Sequence, residues 1–572
     1  MVDLPVRLPI SWTVQRPGRR PAHRVRVRRD LPVPMPDGVI LLADHYIPLG
    51  ATRPPTILIR TPYGRGGPFG WMYGWAFARH GFQVVLQSCR GGFGSGGLLD
   101  PLADEHADGL ATVEWLRRQS WYGGSLAMHG PSYLGYTQWA IAAETPDLKA
   151  MATQVTASCF RDAAYVGGAF ALESSLIWTT LTAHLDGRLP GMAPLFVPRK
   201  ARRALLSALS ALPETAGPNG APVPPGSTGN WGRPITELDL LAAGRPLPFF
   251  RELLANHADP ASSYWQKRDF SGTVDRVTAE VTMTGGWYDV FLPWQLKDYA
   301  AMRAAGRQPY LTIGPWHHTD VRHGRAANND ALAWFRAHLL DDPSGLRASP
   351  VRLFVTGADE WRDHPDWPPP GTRPVRWHLQ PDFALSTGNP APSEPDRYRY
   401  DPAHPTPVLG GPVLIGDSSP RDNRRLEARR DVLVYTSDAL AEDIEMIGPV
   451  TADLFLRSTN DHADVVVRVC DVHPGGASMN VCEGVRRLTP ALPVGADGVR
   501  RVEVELWPMG HRFRRGHRIR LHVASGAYPR IARNPGTGAA LTAGSPMVPS
   551  DHEVLHDPEH PSAVVLPHIA AR

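Results

Sequence analysis

Cysteine is scarce in this chain. Cys89, Cys159, Cys470 and Cys482 are its four thiols in 572 residues. They form no CxxC pair and no closely spaced framework, which excludes a disulfide-stapled scaffold. A reduced, cytoplasmic setting is the expectation. Apolar runs of about 18 residues are missing, so no membrane-spanning helix is expected. The first residues, Met1-Val2-Asp3-Leu4-Pro5, lack the charged-then-apolar layout of a secretory leader. Charge of one sign is also in short supply: 60 Lys+Arg stand against 56 Asp+Glu, a net +4. The local basic excess is an arm at residues 16–29, which reads as a solvated tail. No aromatic-interleaved basic stripe accompanies it, so nucleic acid is not an expected partner. No fixed-period repeat or long low-complexity tract is present.

What is present describes a large soluble globular chain. Hydrophobic residues make up 42% and charged residues 20%, enough for several cores. Proline, at 58 residues, is at roughly twice its usual share and predicts long ordered loops. Strand-like runs at 39–47, 56–60, 83–87 and 126–129 alternate with helix-like runs at 70–79, 103–118 and 137–143. That alternation predicts an α/β fold, a mostly parallel sheet with helices on both faces. It resumes at 280–284, 293–305, 310–313 and 331–340.

Between the two stretches the character changes. Residues 160–270 are rich in Ala and Leu at helical spacing and are broken by prolines at 213–225. This predicts a helical cap inserted over the sheet. Its aromatics are Phe160, Tyr165, Phe170, Trp178, Trp231, Phe249, Phe250, Tyr264 and Trp265; most belong to the cap core, and a few to a pocket wall. After Pro350 the helical period vanishes. Short β-like runs separated by Gly, Pro, Asp and Asn predict a C-terminal all-β jelly-roll sandwich. The expected divisions are 1–159 and 271–347 for the α/β domain, 160–270 for the cap and 348–572 for the β domain.

Ser132 is the most informative residue. The run Gly130-Pro131-Ser132-Tyr133-Leu134-Gly135 ends an apolar strand and begins a helix, the layout of a nucleophile elbow. Such a turn lifts the serine hydroxyl to the sheet edge, where backbone N–H groups can stabilise an oxyanion. Two later strands end in the remaining partners. Gly286-Trp287-Tyr288-Asp289 ends in an acid and Gly314-Pro315-Trp316-His317-His318 in two histidines. Open α/β sheets bind ligands at that edge, and the order Ser…Asp…His is that of α/β-hydrolases. Asp289 and His318 are 29 residues apart, room for one helix and one strand. The much longer gap from Ser132 to Asp289 holds the cap. Chemically, serine needs a base to become a nucleophile, histidine can accept and return the proton, and a carboxylate fixes the imidazole tautomer.

These segments, with Arg60-Thr61-Pro62-Tyr63, Gln87-Ser88-Cys89-Arg90-Gly91 and His556-Asp557-Pro558-Glu559-His560-Pro561, resemble the cocaine-esterase-like (CocE/NonD) hydrolases. That family shares its fold with X-Pro dipeptidyl-peptidases and α-amino-acid ester hydrolases. The resemblance covers nearly the whole chain. It implies an α/β-hydrolase domain with an inserted helical cap and a C-terminal jelly roll. It also implies Ser132 as nucleophile, His318 as base and Asp289 as its orienter, and selects His318 over His317. The Tyr63 hydroxyl and the Tyr133 backbone N–H are the implied oxyanion donors. Two departures stand out. Leu134 occupies the usual second glycine position, with Gly135 one residue later, a form common in this family. Ser88 stands where an Asp is usual, which removes an ion pair there. The acids that follow the catalytic Asp in the amino-ester branch are replaced by Phe291 and Leu292, so an ammonium site of that type is not expected.

Phe291, Trp287, Trp316 and Phe170, beside the strand ends or in the cap, are the candidates for substrate contact. No metal and no cofactor are expected. His552-Glu553-Val554-Leu555-His556 is a formal zinc-protease match, but it lies among β-like runs. In an extended strand the two histidines stand about 13 Å apart, too far for one ion. Gly91-Gly92-Phe93-Gly94-Ser95-Gly96-Gly97 lacks the lysine of a phosphate loop and reads as an active-edge loop. The expected activity is hydrolysis of a small-molecule ester or amide. Peptidase or acylase action and a silent binding protein on the same fold are the alternatives. The oligomeric state stays open, with a homodimer among the states allowed.

Overall fold

In a computed structural model of the protein, the described residues are 23–185, 231–232, 235–257, 259, 261–415 and 420–570. The proline run at 213–225, most of the expected inter-helix stretch of the cap and the start of the basic arm lie outside them.

A ten-stranded mixed sheet carries the first half. Its spatial order is Val25–Pro34, Ile40–Pro48, Gln83–Ser88, Thr56–Thr61, Leu126–Pro131, Leu148–Gln154, Glu280–Tyr288, Tyr310–His317, Val351–Val355 and Glu360–His364. The seven strands from Gln83–Ser88 to Val351–Val355 run parallel, and antiparallel strands close both edges. Gln83–Ser88 and Thr56–Thr61 are buried at every position, as strands covered by helices on both faces must be. Three helices matter for the site: Tyr133–Ala142, Leu292–Ala304 and Val321–Leu339.

Two sequence expectations change. Of the arm at 16–29 expected as a solvated tail, residues 25–29 belong instead to the edge strand Val25–Pro34, paired with Ile40–Pro48. Its alternating Val and Arg side chains place valines inward and arginines outward, and an arginine-rich edge resists pairing with another chain. Val351–Val355, read as the first strand of the β domain, instead pairs in parallel with Tyr310–His317 through Leu311↔Val351 and Ile313↔Leu353. A short alternating strand carries no signal of which sheet it joins. Leu148–Gln154, with one Leu and no β-branched residue but threonine, gave no strand signal, yet it is central.

The cap packs Leu172–Leu185, Leu238–Ala243 and Pro248–Ala255 around Leu176, Phe250, Leu254 and Trp265. Leu414, Tyr528 and Ala532 of the C-terminal part join this same core. The C-terminal domain is an eleven-stranded sheet that closes on itself, because Ala563–Ile569 pairs with both Arg373–Gln380 and Ile444–Ser458. Asp396–Tyr400, paired on one side with Ser550–Leu555, branches from the closed ring as its edge strand. Ser550–Leu555 is a strand, so the His552/His556 segment has no helical turn to bring its rings together. His552 instead stacks on Tyr398, and His556 contacts Asp396 at 2.9 Å. No helix among the described residues is long and apolar enough to cross a membrane.

Candidate active site

Ser132 sits at φ 54°, ψ −122° between the strand Leu126–Pro131 and the helix Tyr133–Ala142. A non-glycine residue in this region is strained, and the surroundings impose it. A Cβ on Gly130 would stand 2.5 Å from the Leu134 Cβ, and one on Gly135 would stand 2.3 Å from Thr156. The two glycines therefore let the helix close tightly on the strand, and the serine takes the sharp turn. The Ser132 N–H donates to the Gln154 carbonyl at 2.8 Å, and the Ser132 carbonyl accepts from Thr156 Oγ1 at 2.7 Å.

His318 Nε2 lies 3.1 Å from Ser132 Oγ, and His318 Nδ1 lies 2.7 Å from Asp289 Oδ2. Asp289 is fully buried. Its other oxygen accepts the Phe291 N–H at 2.8 Å, so one carboxylate both turns the chain into the next helix and holds the imidazole. Its backbone carbonyl accepts the Trp507 indole N–H at 2.9 Å. The His318 carbonyl is held by His323 Nε2 at 2.8 Å, while His323 Nδ1 accepts from Gln154 Nε2. Burial pushes His323 down to about 4, so this ring is a neutral strut. His317 points elsewhere, with Thr319 Oγ1 at 3.4 Å from its Nδ1.

Tyr63 is buried, and its hydroxyl faces Ser132 in the same cavity. Trp178 Nε1 donates to Tyr63 Oη at 2.9 Å, which leaves the phenol proton for an acceptor on the serine side. Burial pushes this phenol up to about 12, with the Trp178 hydrogen bond opposing; it is a neutral donor. The Tyr133 N–H is the first of its helix and has no intrahelical acceptor. The Tyr133 side chain is drawn away from the cavity: its hydroxyl donates to Glu105 Oε1 at 2.8 Å, and Glu105 also meets buried Arg60 at 2.9 Å. Ser88 holds no ion pair. Its hydroxyl accepts from Arg65, whose charge is met by Asp44 at 3.2 Å and by Asp30.

Ser132 opens onto two apolar cavities. One, of about 80 Å³, is walled by Phe160, Trp178, Phe249, Trp265 and Phe291. The other, of about 150 Å³, is walled by Tyr63, Phe69, Met72, Leu181, His318 and Val321. Leu414 lines both and Ile415 the second. Of the four expected substrate contacts, only Phe291 is here, its ring 4.3 Å from Phe160 and 5.5 Å from His318. Phe170 is wholly buried in the cap core against Phe250. Trp287 lies in the seam with the C-terminal half, donating to the Phe354 carbonyl at 2.7 Å and packing on Trp367. Trp316 covers Gly286 and Gly314 and packs on Trp361. Aromatics at a strand end belong to a pocket or to a seam, and residue type alone does not separate the two. The sequence reading also missed the roles of Trp178, His323, Trp507 and Leu414. Only Trp178 had a signal, as a cap aromatic.

Comparison with known proteins agrees with this architecture. Residues 37–320 match the X-Pro dipeptidyl-peptidase (S15) family, and residues 345–565 match the X-Pro dipeptidyl-peptidase C-terminal non-catalytic domain. The chain is 32% identical to a cocaine esterase of Rhodococcus sp. (strain MB1 Bresler), over 95% of this chain and 98% of that protein. Among solved structures, an aminopeptidase from a marine sediment Thaumarchaeota archaeon superposes with a TM-score of 0.78 at 22% identity, covering 100% of this chain and 99% of the other. An α-amino acid ester hydrolase superposes with 0.77 at 23% identity, covering 99% and 100%. With 95% of the chain matched to the esterase and both halves matched to the S15 domain pair, the chain belongs to the cocaine-esterase-like (CocE/NonD) serine hydrolases of the X-Pro dipeptidyl-peptidase family.

Proposed function

We propose that the protein hydrolyses carboxylic esters of apolar acids or alcohols through an acyl-enzyme on Ser132, without a cofactor. The observation that carries this reading is the continuous hydrogen-bonded line Ser132–His318–Asp289, at 3.1 and 2.7 Å, opening onto two apolar cavities.

In the first half-reaction Ser132 Oγ bonds to the ester carbonyl carbon while His318 Nε2 takes its proton. Asp289 keeps the Nδ1–H in place and favours the imidazolium. The carbonyl π electrons move to oxygen, which accepts hydrogen bonds from Tyr63 Oη–H and the Tyr133 N–H. Collapse breaks the bond to the alkoxy oxygen, which leaves as the alcohol with the proton from His318. Water then attacks the acyl carbon and gives a proton to His318. The second collapse releases the acid, and the proton returns to Ser132 Oγ. The two cavities on either side of Ser132 provide one room for each half of the ester.

The lining of the smaller cavity favours an ester over an amino-acid or X-Pro substrate. Among the described residues it contains no carboxylate to pair with a substrate ammonium, and Phe291 and Leu292 occupy the positions of the acids in the amino-ester branch. The relative from Rhodococcus is likewise an esterase, named for the ester cocaine. A panel of p-nitrophenyl esters of rising acyl length, run beside Gly-Pro-anilide, tests this. Ester turnover that rises with acyl length, and none of the anilide, is the expected result. Preferred cleavage of the anilide would replace the ester reading with a peptidase one.

A further inference from the structure

Away from Ser132, three imidazoles surround one carboxylate in the C-terminal domain. Asp471 lies near the end of the strand Asp464–Val472, and its side chain is 5% exposed. The antiparallel register pairs Val472 with Arg518. The next residues outward, His473 and His517, therefore meet across the end of the ladder, their rings 4.6 Å apart. His517 Nδ1 stands 2.8 Å from Asp471 Oδ1, and His473 Nε2 stands 3.7 Å from Asp471 Oδ2. His511, from the strand Arg500–Phe513 two places along the sheet, places Nε2 3.1 Å from Asp471 Oδ2, and its Nδ1 lies 2.8 Å from Thr356 Oγ1. Thr356 on one side and Asp471 on the other thus hold the His511 ring between them.

This environment differs from that of the other buried acids in the domain. Asp464 meets Arg487, Asp453 meets Arg501, and Glu445 meets Arg512 and Arg362. Each is neutralised by a permanent cation. The ion-pair partners of Asp471 among the described residues are imidazoles, which are also metal ligands. The cluster forms part of the wall of an open cleft of about 700 Å³. The guanidiniums lining that cleft are engaged elsewhere: Arg514 donates to the Gly357 carbonyl, and Arg322 pairs with Asp320. Asp359 adds a second carboxylate to the wall.

We infer that Asp471, His473 and His517 form a binding site for a divalent ion of the zinc type, with His511 holding the carboxylate from behind. One oxygen and two imidazole nitrogens suit zinc, cobalt or nickel. Around such an ion, ligands at about 2.0–2.2 Å stand about 3.3–3.5 Å from one another. The three candidate ligand atoms here lie within 4.8 Å of one another, with His517 Nδ1 at 2.8 Å from Oδ1 and His473 Nε2 at 3.7 Å from Oδ2 of the same carboxylate, so a small adjustment brings them to that spacing. His473 is 45% exposed, free to close the set by a small rotation. The remaining coordination positions face the cleft and water. The ion would clip the turn after Asp464–Val472 to the turn before Arg518–Ala524, outside the Ser132 machinery.

The test uses untagged full-length protein, stripped with chelator and titrated with Co(II) and then Zn(II). One Co(II) per chain, with visible d–d absorption that Zn(II) displaces, is expected, together with a zinc-dependent rise in Tm. His473→Ala and His517→Ala should each weaken binding by about tenfold or more and abolish the Tm rise. His404→Ala, at an exposed histidine paired with Asp401, should leave both unchanged. His473→Ala is the decisive variant because its exposed position keeps the fold, which circular dichroism and metal-free Tm check. No cobalt binding by the parent, or binding and a Tm rise that survive in His473→Ala, overturns the site and leaves a hydrogen-bonded histidine cluster.

Discussion

The indole N–H of Trp507 donates to the backbone carbonyl of Asp289 across 2.9 Å. The residue whose carboxylate meets His318 at 2.7 Å is thus held from the C-terminal β-sheet, and the β domain is part of the support of the site. Trp507→Phe keeps a large ring and removes the donor. The Asp289 carbonyl keeps its longer bond from the Leu292 N–H at 3.4 Å, and the loss of the shorter one costs about 1 kcal/mol, so kcat is expected to fall about fivefold with KM little changed. Steady-state kinetics on a p-nitrophenyl ester measure this. An unchanged kcat with a lowered Tm would confine Trp507 to domain packing.

Ser132→Ala is expected to abolish turnover and fluorophosphonate labelling with circular dichroism unaltered. His318→Ala should also remove activity, whereas His317→Ala should retain most of it, because only His318 reaches both Ser132 and Asp289. Peptide mapping that found the label on another serine would sink the assignment. So would the reverse pattern in the two histidine variants.

Tyr63→Phe isolates one hydroxyl. The loss of an oxyanion donor costs about 10²–10³ in kcat, and the ring's packing is preserved. Trp178→Phe removes only the bond that aims that hydroxyl, so a smaller loss is expected. Both variants should keep KM within about threefold. If Tyr63→Phe loses less than about threefold in kcat, the hydroxyl is not a donor to the reacting oxygen.

Glu173, on the cap helix Leu172–Leu185, is pushed by burial up to about 7, with Arg530 pulling the other way. Its Oε2 has no hydrogen-bond partner among the described residues. Below its usual 4.5 both folded and unfolded chains hold the proton, and pH has no leverage. Above it the unfolded chain ionises first, so stability drains away as pH rises, until the folded carboxyl also ionises near 7. Glu173→Gln should therefore stabilise little at pH 4.5 and more at pH 8, with a ceiling of about 3 kcal/mol. Urea unfolding at the two pH values measures it. An equal gain at both would remove ionisation as the cause.

The sequence by itself determined the parts whose signals are local. Gly130, Ser132 and Gly135 announce a tight strand-to-helix turn because only those residue types pack there. Asp289 and His318 close two apolar strands, and strand ends in a parallel sheet meet at one edge. The alternation of strands with helices, the insertion between Ser132 and Asp289 and the loss of helical period after Pro350 set the order of the parts. The tertiary structure decided what depends on contacts remote in sequence. Trp178 meets Tyr63, Trp507 meets Asp289, and Leu414 enters both cavities, each across a gap that no spacing rule spans. It also sent Trp287 into the inter-domain seam, Trp316 against Trp361 of the first sheet and Phe170 into the cap core, because an aromatic side chain buries equally well in a pocket wall or in packing between elements. Val351–Val355 joined the first sheet and residues 25–34 its edge for the same reason. A short strand carries its pleat in its sequence, and its partner is fixed only when the sheets assemble.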